Sequence, residues 1–282
     1  MSVRRQHGGW VRQAVLGRLG GLPEAARAEL LSARDRDARI AGVHAAAVYG
    51  SLGPTRALAI AATDPDHGVR LHALRVVMSA ALAPGRRAEL DRVRPQVLAQ
   101  LHTNSSYDVR RKAFTTAVET GFLRPSDLAE LAVTHRTRYV RHRSCAAVLA
   151  APDGNAFLDR LLSARDPAVR TAALARLRGA GRGEELVRHL ADVSPAVLAS
   201  VCRELRAVGD DPRVHYRALC ADPAAVTPAA AVGLAEQRRP EDATLLRSLT
   251  RHPAPDVRAR ARSGLRILGD VLDDEPSLRR RR

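Results

Sequence analysis

The stretch DPAVRTAALARL, Asp166 to Leu177, decides the fold, because nearly the same phrase returns along the whole chain. Anchored on the apolar residue that opens it, the phrase recurs at Val11, Ile40, Val69, Val109, Val140, Val169, Val197, Ala230 and Val257, at intervals of 27 to 40 residues. Six anchors are followed by arginine: Arg12, Arg70, Arg110, Arg141, Arg170 and Arg258. Four positions past the anchor stand small or apolar residues such as Val15, Ala73, Ala113, Ser144, Ala173, Val201 and Ala261. Eight past stand Leu19, Val48, Val77, Ala117, Val148, Leu177, Leu205 and Leu265. Offsets of four and eight share one face of an α-helix. Each phrase therefore predicts one amphipathic helix.

Asp166-Pro167, Ser194-Pro195 and Thr227-Pro228 add start signals: a capping oxygen, then proline where a missing N–H costs nothing. Between the phrases lies a second set of helical stretches, PTRALAIAAT from Pro54, PSDLAELAVTH from Pro125, NAFLDRLLSA from Asn155, EELVRHLAD from Glu184 and EDATLLRSL from Glu241. Two helices per thirty residues is a helical-repeat pattern, in which stacked pairs share a core that no single pair builds alone.

Composition agrees. The 282 residues are 45% hydrophobic but only 3% aromatic, so the core is built from Leu, Val and Ala, and the fold class is all-α. Lysine plus arginine total 46 against 30 acids, for a net charge of +16, and Lys112 is the only lysine. Codon bias in a GC-rich genome accounts for arginine over lysine. The net excess is a separate feature that suits an acidic partner: nucleic acid, an anionic surface or an acidic protein. Cys145, Cys202 and Cys220 are too few and too scattered for a disulfide framework or a zinc site. The N-terminus lacks the apolar core of a signal peptide, and runs such as Leu58 to Ala62 are far too short for a membrane span, so a cytoplasmic protein that does not enter membranes is expected.

The turn aspartates, the Val-Arg pair and the Ala/Leu positions that follow resemble the HEAT family, in particular its short bacterial repeats of about thirty residues. The resemblance extends over roughly residues 9 to 270. It implies an armadillo-like right-handed α-α superhelix, a solenoid of about eight or nine pairs whose second helices line the concave side. Residues 1–271 are expected to form one such solenoid with an N-terminal capping helix, the Val11 copy being either that cap or the edge of a larger array. Residues 272–282 are expected to be a loose charged tail. Pro95 should kink or divide the long helix Arg86 to Leu101, and the Ala230 copy, with Arg238 at the offset of eight, is the expected weak joint.

The resemblance also implies that the arginine after the anchor is structural, joining turn aspartates in a ladder between repeats. Asp66, Asp108, Asp166 and Asp256 stand near Arg70, Arg110, Arg170 and Arg258. Better partner- or anion-binding candidates lie two, three, six or seven past the anchors: His72, Arg75, Arg111, Lys112, His142, Arg143, Arg176 and Arg260. Arg138 and Tyr139 join them from the densest run, HRTRYVRHR, His135 to Arg143, and Tyr107 occupies a similar place before Val109. Cations interleaved with aromatic rings hold phosphates and stack bases, although such a run is more often a solvated helix face.

His142 with Cys145, and His67 with His72, lack the further ligands a metal needs, and His44 reads as a hydrogen-bonded core histidine. HEAT-like iron hydroxylases rely on His-Glu pairs, and the chain has none; helical-repeat DNA glycosylases rely on groove tryptophans, and the only tryptophan is Trp10. Phosphate-loop and nucleophile-elbow motifs are also missing. The expectation is a non-catalytic scaffold without cofactor or metal, binding a protein with an acidic segment through a concave basic face. Sequence-nonspecific nucleic-acid binding along the same groove is the alternative, and a HEAT-like lyase or DNA-repair enzyme the third.

Overall fold

A computed structural model describes residues 22–83, 85, 87–104 and 106–273. The Val11 copy, Trp10 and the arginines at 279–282 lie outside these residues. Among the described residues helix follows helix and no strand occurs. The α-helices are α1 (Glu24–Leu31), α2 (Arg36–Val48), α3 (Pro54–Thr63), α4 (His67–Ser79), α5 (Arg87–Thr103), α6 (Tyr107–Glu119), α7 (Pro125–Thr134) and α8 (Arg138–Ala150). They continue as α9 (Leu158–Leu162), α10 (Pro167–Gly179), α11 (Pro195–Ala207), α12 (Pro212–Ala221), α13 (Pro228–Glu236), α14 (Ala243–Leu249) and α15 (Pro255–Asp273).

The stretch from Glu184 forms a 3₁₀-helix, Gly183–His189, in place of the expected α-helix, and short 3₁₀ segments at Gly154–Phe157 and Pro240–Asp242 lead into α9 and α14. The tighter winding rises further per residue, which lets a short segment cover the length of its neighbour. The helix is not divided at Pro95: α5 runs through it as one helix, with Pro95 exposed. At the other end α15 reaches Asp273, two residues into the segment expected to be loose.

Two compact bodies make up the chain: residues up to Leu128 together with His135–Val140, and Ala129–Thr134 together with residues from Arg141 onward. In the first, second helices pack on second helices, α2 on α4 and α4 on α6, while α3 packs on α5. In the second, α10 packs on α11, α13 on α15 and α12 on α14. Both follow the logic of stacked pairs. The anchors Val69, Val109, Val140, Val169, Val197, Ala230 and Val257 are all buried, as are Val77, Ala117, Val148, Leu177 and Leu205 on the same faces. Each buried Val or Leu contributes about 1.5–3 kcal/mol.

One copy has a different register from the one read off the sequence. In α2 the capping residue is Asp35, whose carboxylate accepts from the Ala38 N–H at 2.7 Å. Ala38 is therefore the equivalent of Val69, not Ile40, and the inward face continues through Gly42, Val43 and Ala46. Val48, expected inside, is 61% exposed. Among the predicted caps, Asp166 accepts from Ala168 at 3.0 Å and Thr227 from Ala230 at 3.1 Å, but Ser194 makes no capping bond.

Four second helices end on a left-handed residue, which glycine supplies without steric cost: Gly50 after α2, Gly121 after α6, Gly181 after α10 and Gly209 after α11. After α13 that place is taken by Arg238, at φ 53°, the one non-glycine with positive φ among the described residues. The degenerate repeat is thus a short helix closed by a strained residue. Arg238→Gly is expected to raise stability by about 1 kcal/mol, read as a shift in the urea midpoint; an unchanged or lower midpoint would show that the arginine side chain outweighs the strain.

Candidate interaction surface

The arginine after the anchor performs a structural task, with different partners from those the sequence suggested. Arg170 donates from Nη1 to the carbonyls of Ala164 and Arg165 at 2.7 and 3.1 Å, pinning its own turn. Its other edge meets both carboxylate oxygens of Asp192 at 2.9 Å. Arg39 does the same with Ala33, Arg34 and Asp64. Arg70 and Arg258 hold the carbonyl pairs of Asp64 and Pro65 and of His252 and Pro253. The guanidinium fork suits this double grip, and a lysine would not reproduce it.

The ladder acids Asp64 and Asp192 stand in the following turn, two residues ahead of the next helix's capping position. Asp66 instead caps α4, and Asp108 and Asp256 are exposed. Of the four aspartates proposed, only Asp166 accepts from the preceding arginine, Arg141, at 2.9 Å, and it caps α10 as well. Burial opposes ionisation of Asp166, but the Arg141 and Ala168 donors and the charges of Arg141 and His142 hold its pKa below the ordinary value.

Further along the first body the acids give way to other side chains, as at His252 in the second. The turn position held by Asp64 and Asp192 becomes Asn104 before α6 and His135 before α8, each accepting the N–H two residues on, at 3.0 Å. The Asn104 carbonyl takes both Arg110 and Arg136. His135, 1% exposed, bonds the Leu101 carbonyl at 3.0 Å and lies 5.0 Å, ring to ring, from His102. Burial, with the charge of Arg136, lowers the pKa of His102. Burial also lowers that of His135, reinforced by His102 and Arg110 and partly offset by its backbone bonds.

These imidazoles are neutral in the fold and protonate more readily once it opens. Their stabilisation is complete above the ordinary value of 6.5 and is lost as the pH falls from there toward their depressed values. The urea midpoint should therefore fall between about pH 7 and pH 5, ahead of carboxylate titration; a midpoint that holds steady over that interval would contradict the assignment.

The sequence candidates separate into distinct environments. In the first body Arg111 and Lys112 are exposed on α6, and Arg138 and Tyr139 are exposed in the first turn of α8. The Tyr139 ring stands edge-on to the buried Phe114 of α6, with centroids 6.4 Å apart, and Tyr107, which opens α6, is 50% exposed. Arg111 meets only Asp108, at 3.8 Å, and no ion pair engages Lys112 or Arg138 among the described residues. His135, the first residue of the run that suggested these candidates, is buried and belongs to the core.

His72 and Arg75 sit elsewhere on the first body, beside His44. In the second body His142 is drawn to Asp166 at 3.2 Å, and Arg176 donates to Asn155 at 3.0 Å. Arg143 and Arg260 are exposed. The pairing of His44 with His72, Nε2 to Nδ1 at 2.7 Å, was not legible because the sequence register of α2 was two residues off. The spacing Asp35 to Arg39, the same as Asp66 to Arg70 and Asp166 to Arg170, is the signal that corrects it.

All three cysteines are buried. Burial, with the Asp166 charge, pushes the Cys145 thiol up to about 11; burial, with Asp242, pushes Cys220 up to about 12. A thiol held protonated is a poor nucleophile. The described residues hold no group of three or more metal-ligating side chains, and no described helix is long and apolar enough to cross a membrane.

These features define an all-α helical-repeat protein with exposed cations and tyrosines on its first body. No family model matches the chain, and no curated protein matches it. Similar solved structures include the X-ray structure of YibA from E. coli, at 14% identity over 91% of this chain and 96% of that one, with a TM-score of 0.36. A designed armadillo repeat protein, at 18% identity over 76% of this chain and 99% of that one, gives 0.26. An engineered protein, also at 18% identity, covers 77% of this chain and 96% of its own, with a TM-score of 0.26.

Proposed function

We propose that this chain is a non-catalytic, HEAT-like scaffold of the cytoplasm that binds an acidic segment of another protein. The observation that carries the reading is the exposure of Tyr107, Arg111, Lys112, Arg138 and Tyr139 on the first body, read here as one surface, where cations are left over after half-buried arginines such as Arg70 and Arg170 have been committed to turns and ladder acids. Complementary charge steers encounter and selects partners, and tyrosines at the same surface add apolar area at low entropic cost. The protonated, buried thiols support a role without covalent chemistry.

The test is charge reversal at Arg111, Lys112 and Arg138 together, with reversal of the equally exposed Arg188, Arg247 and Arg251 as the net-charge control. A labelled glutamate-rich peptide should lose about tenfold or more in affinity with the first variant, roughly 1.4 kcal/mol, and little with the second. Equal losses in both would reduce the effect to bulk charge and overturn the assignment of this surface.

Nucleic acid is the second reading, favoured by the exposure of Tyr107 and Tyr139 at 50% and 36%, since bases stack on such rings between phosphate-binding cations.

A further inference from the structure

Between the second helices α2 and α4 of the first body lies a cavity of about 400 Å³ that no part of the scaffold reading uses. Its apolar walls are Ala47, Val48, Leu52, Pro54, Val76, Ala80 and Ala83. His44, His72, Arg75 and Ser79 are its polar lining, and no carboxylate is among the lining residues. The size falls within the range of small-molecule sites, about 300–1,000 Å³.

Three observations point to a ligand with a long apolar part and one negative charge. The rim is unusually apolar for exposed surface: Val48 is 61% exposed, and Leu82, one residue from Ala83, is 70% exposed. Arg75 lies at the wall, half-buried, and no ion pair engages it among the described residues, whereas the arginines of the ladder each hold an acid or a pair of carbonyls. His44 and His72, both in the lining, share one hydrogen bond, so one ring donates and the other accepts, and the polar lining beside Arg75 holds no acid.

A single guanidinium beside imidazoles suits a monoanion. A phosphate carries more charge to desolvate than one guanidinium offsets. A neutral apolar ligand would leave Arg75 without a counter-charge.

We propose that this cavity binds an amphipathic monocarboxylate, with its hydrocarbon part against Val48, Leu52 and Val76 and its carboxylate on Arg75. The assignment stands apart from the acidic-segment reading and survives its failure.

The test is calorimetric titration of the full chain with decanoate below its micelle concentration and with decanol as the neutral control, alongside methyl NMR shifts. Decanoate should bind saturably at one site, shifting Val48, Leu52 and Val76 methyls, and Arg75→Gln should weaken it about tenfold while leaving decanol unchanged. Ala47→Phe, which fills the cavity from a second wall, should weaken both ligands, with circular dichroism verifying that each variant folds. Absence of saturable decanoate binding to the unaltered chain would overturn the proposal whatever the variants do. So would affinity for decanoate no greater than for decanol, or methyl shifts centred away from α2 and α4.

Discussion

Phe114→Ala is expected to lower the unfolding free energy by about 3–5 kcal/mol and to weaken peptide binding at the surface above it. The phenylalanine is 1% exposed and among the largest fully buried side chains. The chain is 3% aromatic, so few neighbours are bulky enough to close the space left behind. The cavity cost grows when surrounding helices cannot collapse, and α6 is held on one side by its packing on α4. Tyr139 rests edge-on against this ring, so its loss also removes a support for one aromatic of the candidate surface. Chemical denaturation gives the first effect and the glutamate-rich peptide titration the second. A stability change under 1 kcal/mol would mean that the first body's core is looser than its packing shows.

Asp242→Ala is the second large effect, at about 2–4 kcal/mol. Asp242 has no exposed side-chain surface, yet it receives Arg213 through both oxygens, at 2.9 and 3.1 Å, and Arg217 at 3.0 Å. Removing it leaves Arg217 without an acid and Arg213 with only the more exposed Glu241, at 2.9 Å. The cost stays below that of a wholly buried pair because Arg213 and Arg217 keep 20% and 49% of their side-chain surface in water. Asp242 also lies in the 3₁₀ turn that leads into α14, so the damage should be confined to the second body. Arg213→Met combined with Asp242→Leu should recover part of the loss, since an apolar pair of similar volume leaves no buried charge unmatched. A double variant as unstable as Asp242→Ala alone would refute the ion-pair account.

The sequence carries the helices well and their partners less well. Apolar offsets of four and eight mark α4, α6, α8, α10 and α11 because those positions face a shared core, and burial of Val69, Val109 and Val169 follows directly. The register of α2 was misread because Ile40 is the more hydrophobic residue near the true anchor, Ala38. The ladder was legible as a type of interaction but not in its pairing. An arginine and an aspartate in one turn look like partners in a linear string, while the guanidinium actually reaches the next repeat, as Arg170 reaches Asp192. Composition marked the charge excess but could not apportion it. Which arginines remain exposed, as Arg138 does, depends on which acids and carbonyls the packing brings near the others.

Fluorescence anisotropy at near-physiological salt tests the central claim most directly, comparing a labelled glutamate-rich peptide with labelled single-stranded DNA and RNA. Screening removes most of a purely phosphate-driven attraction, whereas apolar contacts around Tyr107 and Tyr139 persist. The account predicts that the peptide remains bound, that the nucleic acids dissociate, and that reversal of Arg111, Lys112 and Arg138 releases the peptide. Nucleic acid that stays bound and depends on Tyr107 and Tyr139, together with a peptide that does not bind, would contradict it.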